Sequence, residues 1–313
     1  MHRVSLTIVS LALTAVLMAC SESTSTPEVA VAPAASQDPS SSAEAGGTES
    51  FSILIAGTQV GELEAEHRAG STQVDYEYRN NGRGPTINES VVIGENGLPS
   101  KWTVTGATTF GNKIDEQFVL TGGDASWKDA TGAGNTTVAE PSIYVAQDAS
   151  PYALSIYARA LLADADHSMP VLPGGTLKLD EIEKIRVDGE GGEMEVTSYA
   201  LSGVDLNPTY FLLDQDDAFF AYISPRFAII RSGYEAEDER LRELSTEYAA
   251  KRFEGIQQRL ARNFEGPVRI NNVRIFDPAT QALTEPVSVV VAGNRIDNIM
   301  PVDSDPLAGA VEI

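Results

Sequence analysis

Cysteine is nearly absent: Cys20 is the only one in 313 residues. A single thiol excludes an internal disulfide and any cysteine-built zinc cluster. Histidine is almost as scarce, with His2, His67 and His167 scattered along the chain, too few and too far apart for a His-rich metal site. Positive charge is also short. Lys and Arg number 22 against 45 Asp and Glu, for a net charge of -23. A surface this acidic repels phosphate backbones, so nucleic acid drops out of the expected partners. The chain has no G-x-S-x-G nucleophile elbow. Residues 106–113 come close to a phosphate loop, but Asn112 stands where that motif requires lysine.

What remains is the composition of a folded chain. Hydrophobic residues make up 42% and charged residues 21%, which allows a sizeable core, and the length suits about two domains. Function is legible only at the two ends.

Residues 1–20 read as an address. Arg3 supplies a positive start, and residues 4–18 are apolar apart from small hydroxyl residues. The run is too short for a comfortable span of ~20 residues and fits a secretory signal. Leu17-Met18-Ala19-Cys20 then resembles a bacterial lipobox, in which the cysteine is acylated and becomes the new N-terminus. That resemblance implies lipidation at Cys20 and a membrane partner reached through the lipid anchor. Ser21, standing where inner-membrane lipoproteins usually carry Asp, implies the periplasmic side of the outer membrane. Residues 21–50 are rich in Ser, Thr, Ala, Pro and Glu without an aromatic, the composition of a tether.

Residues 51–235 predict a mainly β domain with a few helices. Alternating segments are separated by Gly- and Asn-rich turns at about 8–12-residue spacing, and the gaps are too short for parallel crossovers. The expected architecture is a curved antiparallel meander. A helix is expected within residues 150–165, where Ser150-Pro151 precedes apolar residues at helical spacing. Such a sheet presents an apolar concave side, either filled by its own side chains or open to an apolar ligand. The opening hairpin, residues 51–61, loosely resembles periplasmic half-barrel domains that handle lipidic ligands. Residues 236–264 predict a connecting helix with Leu241, Leu244, Tyr248, Phe253, Ile256 and Leu260 near one stripe. Three polar clusters in this region read as structure. Asp164, Asp166 and His167 are exposed charge in a Pro-flanked loop. Asp214, Asp216 and Asp217 lack the Gly and distal Glu of an EF-hand and read as a polar turn. Residues 82–85 are a turn held by Gly and Pro.

Residues 265–313 form the last segment, and residues 268–313 of it carry a second resemblance. Ile270, Asn272, Val273, Ile275, Phe276 and Asp277, followed by Gly293, Arg295, Ile296 and Ile299, resemble the opening of the small β-sandwich in the metal-dependent amidohydrolase superfamily. The family-motif residues Asn272, Phe276, Asp277, Gly293, Arg295 and Ile296 are structural there, not catalytic. The resemblance implies a C–N hydrolase whose divalent metal, zinc in the family's usual chemistry, is held by a (β/α)₈ barrel. No H-x-H occurs in this chain, so no catalytic residue and no metal ligand carries over. The expectation is therefore the N-terminal part of a lipid-anchored hydrolase, inactive by itself, taking a small-molecule substrate only where the barrel is present. The apolar strand at residues 287–291 would then keep an unpaired edge. The rival expectation is a stand-alone outer-membrane lipoprotein whose β domain binds an apolar ligand or a partner protein.

Overall fold

The structure is a computed structural model and describes residues 46–313. Cys20 and most of the tether read at residues 21–50 lie outside the described residues.

Fifteen strands form one sheet in two arms. The first arm runs in sequence order through β1 (Thr48–Ile55), β2 (Thr58–Arg68), β3 (Ser71–Tyr78), β4 (Thr86–Ile93), β5 (Pro99–Ala107), β6 (Lys113–Thr121), β7 (Asp124–Asp129) and β8 (Gly132–Thr137). Each strand is antiparallel to the one before it. The turns enforce this. Ala56 and Gly57 have φ of 48° and 85°, the left-handed pair that a two-residue hairpin needs. The phosphate-loop-like stretch is the β5–β6 hairpin, closed by Thr108 N–H on the Asn112 carbonyl at 2.9 Å. Its Gly106, at φ 134°, sits so close to β4 that a Cβ would lie 2.0 Å from the Thr86 carbonyl oxygen.

The second arm holds β9 (Ile143–Tyr144), the helix α1 (Ala153–Leu162), β10 (Ser168–Leu172), β11 (Thr176–Val187), β12 (Met194–Ser202), β13 (Thr209–Asp214), β14 (Phe219–Ile223) and β15 (Phe227–Arg231). β15 pairs with β1, Ile53 opposite Ile229, and so joins the arms. β9 and β10 are parallel, and α1 lies in the connection that parallel pairing requires.

The strands at the junction differ from the rest in sequence. β13, β14 and β15 read TYFLLD, FFAYI and FAIIR with little alternation, because both their faces are covered. On the inner face Phe51, Ile53, Phe211, Phe219 and Ile229 share one core with α1. On the outer face Leu54, Leu212, Phe220 and Ile230 pack with Leu241 and Tyr248 of α2 (Asp238–Leu260). The six-residue stripe expected of this helix is half correct. Leu241 and Tyr248 are buried, whereas Phe253 and Leu260 are 68% and 75% exposed. The sheet underlies only the first half of α2.

The last residues form β16 (Val268–Val273), β17 (Phe276–Asp277), β18 (Ala282–Leu283), β19 (Val287–Ala292), β20 (Arg295–Pro301) and β21 (Val311–Glu312). Four of them make a sheet of order β20-β19-β16-β21. The expected unpaired edge at residues 287–291 is corrected here. β19 is interior, paired with β16 on one side and β20 on the other. Arg269 of β16, 3% exposed, holds this sheet to the loop after β20. Its guanidinium donates to the carbonyls of Asp305 at 2.9 Å and Ser304 at 3.0 Å.

Candidate ligand-binding cavity

Two carboxylates lie in the inner, otherwise apolar register of the first arm. In β4 the buried positions are Ile87, Glu89 and Val91; in β6 they are Ile114, Glu116 and Phe118. Val104 of β5 stands opposite both, so Glu89 and Glu116 flank one position of the sheet's inner face. They are 4% and 1% exposed. Buried carboxylates need donors, and the segment that leads into α1 supplies all of them but the Trp102 indole N–H, which comes from β5. Glu116 accepts the Tyr144 hydroxyl at 2.7 Å and the Gln147 and Asp148 N–H groups at 2.9 Å each. Glu89 accepts the Ser150 N–H at 2.6 Å and the Trp102 indole N–H at 2.9 Å. Burial pushes the Glu89 carboxyl up to about 7. The Ser150 and Trp102 hydrogen bonds offset part of that push, and the neighbouring Glu116 charge adds to it. The Tyr144 ring stacks on Phe118, and the Tyr157 hydroxyl accepts the Ala146 N–H at 3.0 Å. Residues 143–150 are thus strapped to the sheet, and the strap fixes where α1 begins.

Between α1, β3, β4 and β10 this leaves a cavity of about 380 Å³. Its walls are mainly apolar: Val91 and Leu98 from the sheet side, Ile156 and Ala160 from the helix, and Met169 from β10. Ser155 and Arg159, spaced four apart on the same helical face, add a hydroxyl and a guanidinium. Ser155 is 1% exposed, and its Oγ has no hydrogen-bond partner within 3.5 Å among the described residues. At the rim the Tyr152 hydroxyl donates to Glu49 at 2.8 Å and lies 3.4 Å from His67 Nε2, which is 3.6 Å from the same Glu49 carboxylate. A second hollow of about 770 Å³ lies over β2, β3 and β4, but it is lined by Glu62, Glu64, Asp75 and Glu77 and offers no apolar enclosure. Among the described residues no group of three or more His, Cys, Asp or Glu is placed to hold a metal ion.

Of the residues singled out in the sequence, Asp164 lines the cavity and the family-motif residues are elsewhere. None of Asn272, Phe276, Asp277, Gly293, Arg295 and Ile296 lines the cavity. Asn272 takes a φ of 54° inside the irregular step between Ile270 and Val273. Asp277 accepts the Ala279 N–H and the Thr280 hydroxyl at 2.9 Å each, which forms the β17–β18 turn. Gly293, at φ 58°, turns β19 into β20, where Arg295 starts the strand and Ile296 is 67% exposed. Phe276 is 58% exposed. Asp164 caps its own loop by accepting the Asp166 N–H at 3.0 Å. Asp214 pairs with Arg231 at 2.7 Å and accepts the Asp216 and Ala218 N–H groups, a polar turn with Asp216 and Asp217 facing out. Residues 80 and 83 close the Gly-Pro turn through a short bridge.

Sequence reasoning missed Glu89, Glu116, Ser155 and Arg159. For the two glutamates a signal existed: each occupies the inward parity of an alternating strand, where a carboxylate is out of place. The helical pair carried no such mark.

No family model matches the chain, and no curated protein matches it. Among solved structures it is similar to a β-barrel-like protein of the domain of unknown function DUF1849 from Brucella abortus. The identity is 8%, over 59% of this chain and 93% of that one, with a TM-score of 0.39. It is also similar to a DUF1089 family protein from Pseudomonas aeruginosa, at 11% identity over 59% and 95% of the two chains, with a TM-score of 0.28. No family model supports the resemblance drawn on residues 268–313, which is corrected accordingly. Its physical basis is plain. A bulge, an Asx turn and a tight hairpin require Asn272, Asp277 and Gly293 whatever the family. The implied barrel, its metal and the hydrolase activity rested on that resemblance alone.

Proposed function

We propose that this is a lipid-anchored protein of the outer membrane, facing the periplasm, whose β domain binds an apolar ligand in the cavity beneath α1. The observation that carries the reading is that cavity. Its volume falls within the ~300–1,000 Å³ usual for small-molecule sites, its walls are mostly aliphatic, and a few polar groups converge on it. The lipobox-like residues 17–20 and Ser21 support the location. Each buried methylene of an acyl chain contributes ~0.8 kcal/mol, so a doubly or triply acylated Cys20 would hold the protein to a bilayer.

The test is binding of Nile red, a neutral apolar dye. The wild-type protein should bind it with a blue-shifted emission. Ala160→Phe, which fills the cavity from α1, should abolish that signal while the circular dichroism spectrum stays unchanged. Equal dye emission from a folded Ala160→Phe protein would overturn the proposal.

A further inference from the structure

The second half of α2 carries an apolar stripe that no described residue covers. Phe253, Ile256 and Leu260 repeat the spacing of Leu241, Leu244 and Tyr248 twelve residues later. Twelve residues are about three and a third turns, so the second triplet is rotated by roughly 120° from the first. The first triplet packs on the outer face of the sheet. The second points away from it, and Phe253 and Leu260 are exposed. The loop between β12 and β13 adds Leu206, which is 91% exposed. Arg252 fixes that loop by donating to the Leu206 carbonyl at 3.3 Å and to the Asn207 side-chain oxygen at 3.2 Å. Phe253, Asp205 and Asn207 line one hollow, so the loop flanks the stripe. The sign of the charge is reversed here. Within residues 251–264, Lys251, Arg252, Arg259 and Arg262 stand against the single acid Glu254, in a chain with 45 acids and 22 bases. The ion pairs of α2 lie at its start, Arg240 with Glu237 and Arg242 with Asp238, and none of these four cations forms one with a described residue. A cation in the last turn complements the helix dipole. That accounts for Arg259, but not for Lys251 two turns earlier or for the exposed Phe253 and Leu260.

We propose that the second half of α2 docks on an anionic phospholipid surface, with Phe253, Leu260 and Leu206 entering the interface and the surrounding cations reaching the lipid phosphates. Aromatic and aliphatic side chains on one face of a helix, with Lys and Arg on the rest, suit the boundary between headgroups and acyl chains. The long stems of Lys and Arg let their charged ends reach phosphates while the apolar stripe is buried. No described helix is long and apolar enough to cross a membrane, so α2 lies on the surface and does not span it. Charge selects both the lipid and the orientation. Each Lys or Arg near an anionic surface strengthens binding by about fivefold. The net charge of -23 repels the rest of the molecule from the same surface, so this end is the one that approaches. The contact would add to a lipid anchor at Cys20, but it depends neither on that anchor nor on the cavity beneath α1.

A fluorophore on α2 tests the contact. In the full-length chain Cys20→Ser removes the only native thiol, and with it any acyl group, so Leu260→Cys can carry a single environment-sensitive NBD label. The label is titrated with vesicles of phosphatidylglycerol and phosphatidylcholine in equal parts, and with vesicles of phosphatidylcholine alone. Its emission should rise and shift to the blue on the anionic vesicles, respond far less on the neutral ones, and lose the response in high salt. Arg259→Gln together with Arg262→Gln should weaken the anionic response about 25-fold, at about fivefold for each cation. Phe253→Ser should also weaken it while leaving the melting temperature unchanged, because that ring is exposed. The same label at Lys113→Cys, an exposed position at the start of β6, should stay silent, which separates docking by α2 from insertion of the apolar residues 4–18. Equal responses at positions 260 and 113, or on the two kinds of vesicle, overturn the proposal. Silence on both vesicles also overturns it and leaves the stripe to a protein partner.

Discussion

Glu89 shows how a single buried charge can organise a neighbouring segment and leave a signature in solution. Its carboxylate holds the Ser150 N–H just before α1, and its pKa is pushed up to about 7 by burial. An unfolded chain releases this proton near the ordinary value of 4.5; the folded chain keeps it to about 7. The group therefore contributes its full stability below about pH 4.5. That contribution is lost as pH rises through the folded pKa. At ~1.4 kcal/mol per pH unit the loss is about 3 kcal/mol. Glu89→Gln is uncharged throughout and should lack the slope. Urea denaturation at several pH values between 4.5 and 7.5 should show the wild type losing stability relative to the variant. Curves that stay parallel would show that the carboxylate ionises freely where it lies.

At the scale of elements, alternation and its absence sort the strands. β2 to β6 alternate because one face meets the inner core and the other meets solvent. β13 to β15 are apolar on both sides because α2 covers what α1 does not. The C-terminal sheet is too small for such layering and depends on Arg269 instead. That guanidinium reaches the carbonyls of Val302, Ser304 and Asp305, the Ser288 hydroxyl and, at 3.7 Å, the Glu312 carboxylate. Arg269→Ala would strip the buried Ser288 hydroxyl and three part-buried carbonyls of their donor at once. With a buried orphaned group costing ~1–3 kcal/mol and the part-buried carbonyls less, the sheet should lose about 2 kcal/mol. Hydrogen exchange should then accelerate at the β19 and β20 amides while those of β13 to β15 keep their protection. Uniform acceleration across the chain would mean that the small sheet and the large one unfold as one unit.

For the whole molecule, the proposed location makes Cys20 decisive. Metabolic labelling with a fatty-acid analogue should tag the wild-type protein in the outer-membrane fraction, and Cys20→Ser should abolish the tag. Equal labelling of both would sink the lipid anchor.

Local chemistry settled much of the fold in advance. Left-handed turn residues such as Gly57 and short gaps dictate antiparallel neighbours, and period-two alternation gives the strands. The same local chemistry misled at residues 268–313. A bulge, an Asx turn and a hairpin select Asn, Asp and Gly in any protein, so their spacing imitated a family motif. Three things were decided only by tertiary structure. The pairing of β1 with β15 joins residues about 180 positions apart, and no local pattern encodes a partner at that distance. The meaning of Glu89 and Glu116 depends on the strap that supplies their donors, a contact between segments some 30 to 60 residues apart. The cavity exists because the strap fixes α1 over β3 and β4. Ser155 and Arg159 come to line a cavity only once the sheet faces them, because the chemistry of a cavity belongs to the space between elements and not to any one of them.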